Sequence, residues 1–137
     1  MSDVEAQEAA VRRDFRTPVG RARGLGSAKS GTGHFWWQRV TAIVLALLVP
    51  WLIGTLVSLV GADLIAVITT LAKPHNAILF AVFAVALFWH AKLGIQVVIE
   101  DYVHQRAVEI TLLVLNTMLC TVGALASLYA IARIAVV

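Results

Sequence analysis

Three long stretches of this chain carry no formal charge, and they decide what it can fold into. Val40–Val60 reads VTAIVLALLVPWLIGTLVSLV, 21 residues, and Ile110–Ala132 runs for 23. Between them Pro74–Ala91 is uncharged, and its apolar character continues past Lys92 to Ile99. At 1.5 Å per residue, about 20 residues of helix cross the roughly 30 Å hydrocarbon core of a bilayer. Lipid offers backbone N–H and C=O groups no partners, so each stretch must satisfy its own, as a helix. Strand-type alternation is absent, which removes a barrel. Composition agrees: 60% of residues are hydrophobic and 14% charged, where a soluble domain runs about 45–50% and about 25%. One cysteine cannot make an internal bridge, so a disulfide scaffold is excluded too. The sequence therefore predicts an all-α integral membrane protein with three transmembrane helices, over about residues 38–60, 75–99 and 110–132.

Charge gives the direction of threading. The formal net charge is +3, but the cations are not spread over the chain. Arg12, Arg13, Arg16, Arg21, Arg23 and Lys29 all precede the first apolar run, and Arg39 stands at its edge. The first loop, about 61–73, holds only Asp63 and Lys73. This reads as topology signal and membrane-surface contact, not as a nucleic-acid footprint. The excess of Lys and Arg puts the N-terminus inside and, after three crossings, the C-terminus outside. Trp36 and Trp37 fit an inner interfacial belt, while Trp51 lies deep enough to be a packing residue. A signal peptide does not fit the first run, which is too long, starts at position 40 and lacks a small-residue cleavage site.

Residues 1–33 form a polar arm. Val4–Arg13 has the makings of a short surface helix, and the Gly- and Ser-rich stretch from Thr17 to Gly33 reads as a linker. The anchor proper is 34–137. The Gly-rich stretch lacks phosphate-loop spacing and follows no strand, so it is not a nucleotide site.

Ionisable residues inside a span are costly and mark candidate sites. The second run ends FWHAKLGIQVVIEDYVH. Asp101 follows His90 by 11 positions, which is three helical turns plus about 20°. The two share a face, about 16 Å apart along the axis. Gly94 lies on that face one turn from His90, where a missing side chain lets something flat or bulky approach. Lys92 points to the opposite side, placed to snorkel toward the headgroups. His90 has two readings: a histidine hydrogen-bonded to a neighbouring helix, or an axial ligand to haem iron through a neutral imidazole nitrogen. His34, His75 and His104 are poorly placed to be a second ligand, so on the haem reading it comes from another chain. Asp101 and Tyr102, at the inner end of the helix, are either an ordinary solvated terminus or part of a quinone pocket. There a phenol would donate to a carbonyl and a carboxylate would relay protons. Arg39 lies at the same level, an interfacial anchor or a partner for Asp101 or a haem propionate. Gly123 and Ser127 form a small-xxx-small pair suited to close helix packing. Asn116 and Thr117 are placed to bond across helices. Cys120 reads as an apolar filler.

These residues carry a resemblance. His34-Phe35-Trp36-Trp37-Gln38-Arg39-Val40-Thr41-Ala42-Ile43, His90-Ala91 with Gly94, and Glu100-Asp101-Tyr102-Val103 together resemble the D-type hydrophobic membrane-anchor subunit of succinate dehydrogenase (respiratory complex II), from about Gly26 to the C-terminus. The resemblance implies three helices packed against a similar three-helix, C-type cytochrome b anchor. It implies haem b shared between the two anchors, with His90 as this chain's axial ligand. It implies ubiquinone as substrate, bound on the inner side near an iron–sulfur subunit, with Tyr102 as quinone contact, Asp101 as its acidic neighbour, and Arg39 and Gly94 nearby. A flavoprotein subunit, which this chain is not, would oxidise succinate. The expected setting is the inner (cytoplasmic) membrane. The alternatives are an anchor of a fumarate reductase-type or other b-type cytochrome complex, and a non-redox membrane scaffold.

Overall fold

A computed structural model of the chain describes Thr17, Val19 and residues 31–136. The expected surface helix at Val4–Arg13 lies outside the described residues. Four helices and no strand occur among those described: α1 (Gly31–Ser58), α2 (Leu64–Ala72), α3 (Pro74–Tyr102) and α4 (Arg106–Ala135). Three of them are long and apolar enough to cross a membrane, over Thr32–Ser58, Pro74–Tyr102 and Arg106–Ala135. The protein is thus an all-α, multi-pass membrane protein, as the uncharged stretches predict.

The helices outrun the apolar stretches that specify them. α1 begins well before the first uncharged residue of its run and passes through Pro50 without ending. α3, 29 residues long, measures about 43 Å, more than a hydrocarbon core needs. Its last turn carries Glu100, Asp101 and Tyr102, all three exposed. Pro74 opens α3 at the position where its missing N–H costs nothing.

α2 is not anticipated by the sequence reading, which treats 61–73 as loop. Gly61, at φ +79°, turns the chain in a conformation that side chains disfavour. Asp63 then caps α2, its Oδ1 accepting from the Ala66 N–H at 2.8 Å. From the far end, the Asn76 amide donates to the Thr70 carbonyl at 2.7 Å, tying α2 to the start of α3.

α3 is the central element. It packs against both α1 and α4, whereas no Cα of α1 lies within 8 Å of α4 among the described residues. The interior is built from small and polar side chains. Among the described residues the buried ones are Ala77, Ala84, Ala86, Leu93 and Ile99 with Thr41, Asn76 and Asn116, and none of the large side chains is fully enclosed. Small residues are what let helices approach in lipid, where no hydrophobic force draws them together. The large apolar side chains face outward instead, among them Ile43, Leu47, Leu56, Met118 and Leu119. As expected, Trp51 packs, its ring 5.0 Å from that of Phe80.

The α3–α4 contact is closed at Gly123, beside a cavity of about 230 Å³ lined by Phe88, Trp89, Cys120 and Ala124. A Cβ added at Gly123 would meet Phe88 Cζ at 2.7 Å, so only glycine fits, as the small-xxx-small pair anticipates. Ser127 bonds back to the Gly123 carbonyl at 2.8 Å. Asn116 crosses from α4 and donates to the Lys92 carbonyl at 3.0 Å. Thr117 does not cross; its carbonyl accepts from Thr121 on the same helix at 2.7 Å.

Candidate functional site

His90 sits on the α1-facing side of α3, half-buried. Two α1 side chains one turn apart meet its ring. Thr41 Oγ1 is 3.0 Å from His90 Nδ1, and Gln38 Nε2 is 3.5 Å from His90 Nε2. The first is a good hydrogen-bond length; the second is at the outer limit. Thr41 is 6% exposed, and its hydroxyl also reaches the Trp37 carbonyl at 2.8 Å and the Gln38 carbonyl at 3.2 Å. Gln38 Oε1 is buried and has no hydrogen-bond partner among the described residues. A buried polar atom of this kind is rare and calls for an explanation.

The neighbouring turns are aromatic. Trp37 and Trp89 stack at 5.5 Å between ring centroids, tilted by 46°. They line one end of a groove of about 520 Å³ that continues along Val40, Thr41 and Val44 on one side and Ala81, Val82, Val85 and Ala86 on the other, with Leu128 of α4 behind. The groove exists because α1 and α4 both lean on α3 but not on each other. Its wall is almost wholly apolar, and Thr41 and Trp89 bring it to the edge of His90.

Because α3 is unbroken from Pro74 to Tyr102, the face shared by His90, Gly94 and Asp101 is retained. A Cβ at Gly94 would find only Gln38 Nε2, at 3.8 Å, an ordinary contact. Nothing in this chain therefore demands glycine there. Asp101 and Tyr102 are exposed at the end of α3, Tyr102 by 79%. Glu100 is held by Gln96, whose amide donates at 2.8 Å; Asp101 makes no such bond among the described residues. Arg39 does not pair with Asp101: its guanidinium lies over the Phe35 ring, 4.7 Å from the centroid. Lys92 is half-buried, with Nζ 5.9 Å from the Trp89 centroid, folded along its own helix. Trp36 and Trp37 are 64% and 55% exposed.

Among the described residues no three His, Cys, Asp or Glu gather as a metal site. His34, His75 and His104 are exposed. Cys120 is half-buried and directs its thiol to Asn116 Oδ1 at 3.5 Å. Gln38 and Thr41 are the residues the sequence reading missed as partners of His90. Their signal was present as two polar side chains at i and i+3 where α1 enters its apolar run, but their pairing with His90 depends on how two helices register.

Comparison with known proteins places this architecture. Residues 13–125 match the family of succinate dehydrogenase/fumarate reductase transmembrane subunits. The succinate dehydrogenase hydrophobic membrane anchor subunit of Rickettsia conorii is 37% identical over 119 residues, 86% of this chain and 94% of the relative. That of Rickettsia bellii is 39% identical over 101 residues, 74% of this chain and 81% of the relative. The subunit of the same description from Paracoccus denitrificans is 28% identical over 119 residues, 87% of this chain and 92% of the relative. No solved structure matches. With three spans and matches over most of its length, the chain belongs to the succinate dehydrogenase/fumarate reductase transmembrane subunit family, as a hydrophobic membrane anchor.

Proposed function

We propose that this anchor holds haem b through His90, shares it with a C-type anchor subunit, and forms part of a ubiquinone-reduction site with Asp101 and Tyr102. In this reading the iron–sulfur and flavoprotein subunits dock on the inner face of the inner membrane, with the N-terminus inside and the C-terminus outside. The observation that carries it is the state of the polar atoms on the α1 side of α3. His90 Nε2 has only a 3.5 Å contact from an amide, and the Gln38 Oε1 beside it is buried without a partner. An imidazole nitrogen so weakly engaged inside a span suits a ligand from outside the chain, and its chemistry suits iron. With no second histidine near it, a shared site supplies the other ligand.

Haem b, when bound, would supply a one-electron couple near the quinone, held by His90 and a ligand from the partner anchor. The chain's own residues do the rest. His90 contributes an imidazole nitrogen, and Gln38 yields its place against that nitrogen. Gly94 leaves the helix face open beside it. About three turns further along the helix, beside Asp101 but turned away from the His90 face, the Tyr102 hydroxyl donates to a quinone carbonyl. Reduction of a quinone to quinol takes two electrons and two protons, and Asp101, exposed to the aqueous side, passes protons toward the oxygens. Trp37 and Trp89 cover the His90 end of the groove with ring surface. The family description includes fumarate reductase, but the relatives described above are succinate dehydrogenase anchors, which favours the oxidative direction.

The reading is tested on the complex purified with its native partners. His90→Ala is expected to lose the reduced-minus-oxidised b-type spectrum. A normal spectrum in that variant removes His90 from the role. If even the wild-type complex has no Soret band, the anchor is a scaffold and His90 is a residue bonded to α1 for structural reasons.

A further inference from the structure

The contacts around His90 bear on where its ring proton sits. Thr41 Oγ1 has one hydrogen and lies 2.8 Å from the Trp37 carbonyl and 3.2 Å from the Gln38 carbonyl. The Trp37 carbonyl is the nearest acceptor, nearer than His90 Nδ1, and a carbonyl can only accept, which favours the hydroxyl hydrogen on α1's own backbone. What Oγ1 presents to His90 Nδ1, at 3.0 Å, is a lone pair. With the hydroxyl hydrogen on the α1 backbone, Nδ1 is the protonated nitrogen, and in a neutral imidazole Nε2 carries the lone pair. The Gln38 nitrogen placed 3.5 Å from Nε2 fits the same arrangement, as a donor facing an acceptor.

We propose that Thr41 is a positioning residue for His90. It accepts from Nδ1–H, fixes the tautomer that leaves Nε2 free, and holds the ring plane relative to α3. The inference rests on the haem reading above for its purpose, but not for its geometry. Metal-bound histidines commonly donate their second ring N–H to a fixed acceptor, and removing that acceptor typically costs 10- to 100-fold in ligand affinity. Thr41 suits the task because it is buried and its own hydrogen is already used by the α1 backbone. Gln38 has the opposite character: its contact is long and its Oε1 unpartnered, so it is the side chain that yields.

The test uses the full chain in two settings. In the complex with native partners, Thr41→Val is expected to lower the haem-to-protein ratio about tenfold or more on dilution and to alter the low-spin electron paramagnetic resonance signal. Thr41→Ser, which keeps the hydroxyl, restores both. In the second setting, the full chain is labelled with ¹⁵N-histidine and reconstituted without haem in phosphatidylcholine bilayers. The His90 resonances, assigned by their loss in His90→Ala, are expected to show a protonated Nδ1 and a bare Nε2. Protonation at Nε2 overturns the proposal even if no variant assembles. A haem-bearing wild type whose Thr41→Val variant has unchanged haem content and resonance signal overturns it as well, leaving His90 as ligand. A wild-type complex with no haem withdraws the functional reading and, with it, the role proposed for Thr41, whatever the bilayer measurement shows.

Discussion

Both faces of α3 meet a polar residue within the apolar spans, Asn116 from α4 on one side and α3's own His90 on the other, and they resolve it differently. On the α4 side, Asn116 gives its amide to the Lys92 carbonyl at 3.0 Å and takes the Cys120 thiol on its oxygen. Gly123 draws the helices so close that a methyl would press on Phe88. On the α1 side, His90 has one firm bond and one marginal one. Gln38 has a buried oxygen with no partner, and a groove of about 520 Å³ opens beside them. On the α4 side the polar groups are satisfied within this chain, although a smaller cavity of about 230 Å³ lies between Phe88, Trp89 and Lys92 of α3 and Cys120, Ala124 and Leu125 of α4. The α1 side is polar, open and incompletely satisfied, which is the state expected of a face that receives something from outside.

That contrast can be broken by substitution. The largest effect on assembly is expected from Gly123→Val: overpacking against Phe88 should destabilise the α3–α4 contact by about 1–3 kcal/mol, seen as a lower yield and melting temperature of the detergent-solubilised complex. If Val is accommodated without loss, the closed description of that face is wrong. Gly94→Ala should do the reverse. The added methyl meets only Gln38 Nε2 at 3.8 Å, so the anchor should assemble normally while haem content falls about fivefold or more from crowding at the open face. Unchanged haem content would mean that nothing occupies the space over Gly94.

Tyr102→Phe should slow quinone reduction about fivefold, the scale of one hydrogen bond. Electron flow from succinate to a soluble dye should stay at the wild-type rate. Equal losses in both assays would indicate damaged assembly rather than a quinone contact. The smallest effect is expected from Asn116→Leu, which removes a cross-helix bond worth about 0.6 kcal/mol in membrane proteins. Its haem spectrum should not change, and a changed one would show that the two faces of α3 are coupled.

How much of this was legible in the sequence depended on whether one helix or two were needed to read it. The three spans follow from uncharged length alone. His90, Gly94 and Asp101 fall on one face through the 3.6-residue period of a single helix. α2 was not read because a short run of nine residues, Leu64–Ala72, interrupted by Thr69 and Thr70, looks like a loop margin after a turn. The available signal was Asp63, an N-cap residue immediately before the run. The helix ends were read short because hydrogen bonding continues past the hydrocarbon boundary into polar residues such as Thr32 and His34. Gln38 and Thr41 were illegible as partners of His90, since they lie 52 and 49 positions away and only the registry of α1 on α3 brings them together. Arg39 and Asp101 show the converse: similar depth made a pair conceivable, and the α1 helix instead turned the arginine onto Phe35.

The central claim is that His90 ligates iron shared with a partner anchor, and low-temperature electron paramagnetic resonance of the oxidised complex tests it most directly. The account predicts a low-spin, bis-histidine signal in the wild type that disappears or becomes high-spin in His90→Ala while the flavoprotein and iron–sulfur subunits remain bound. An unaltered low-spin signal in that variant would contradict it.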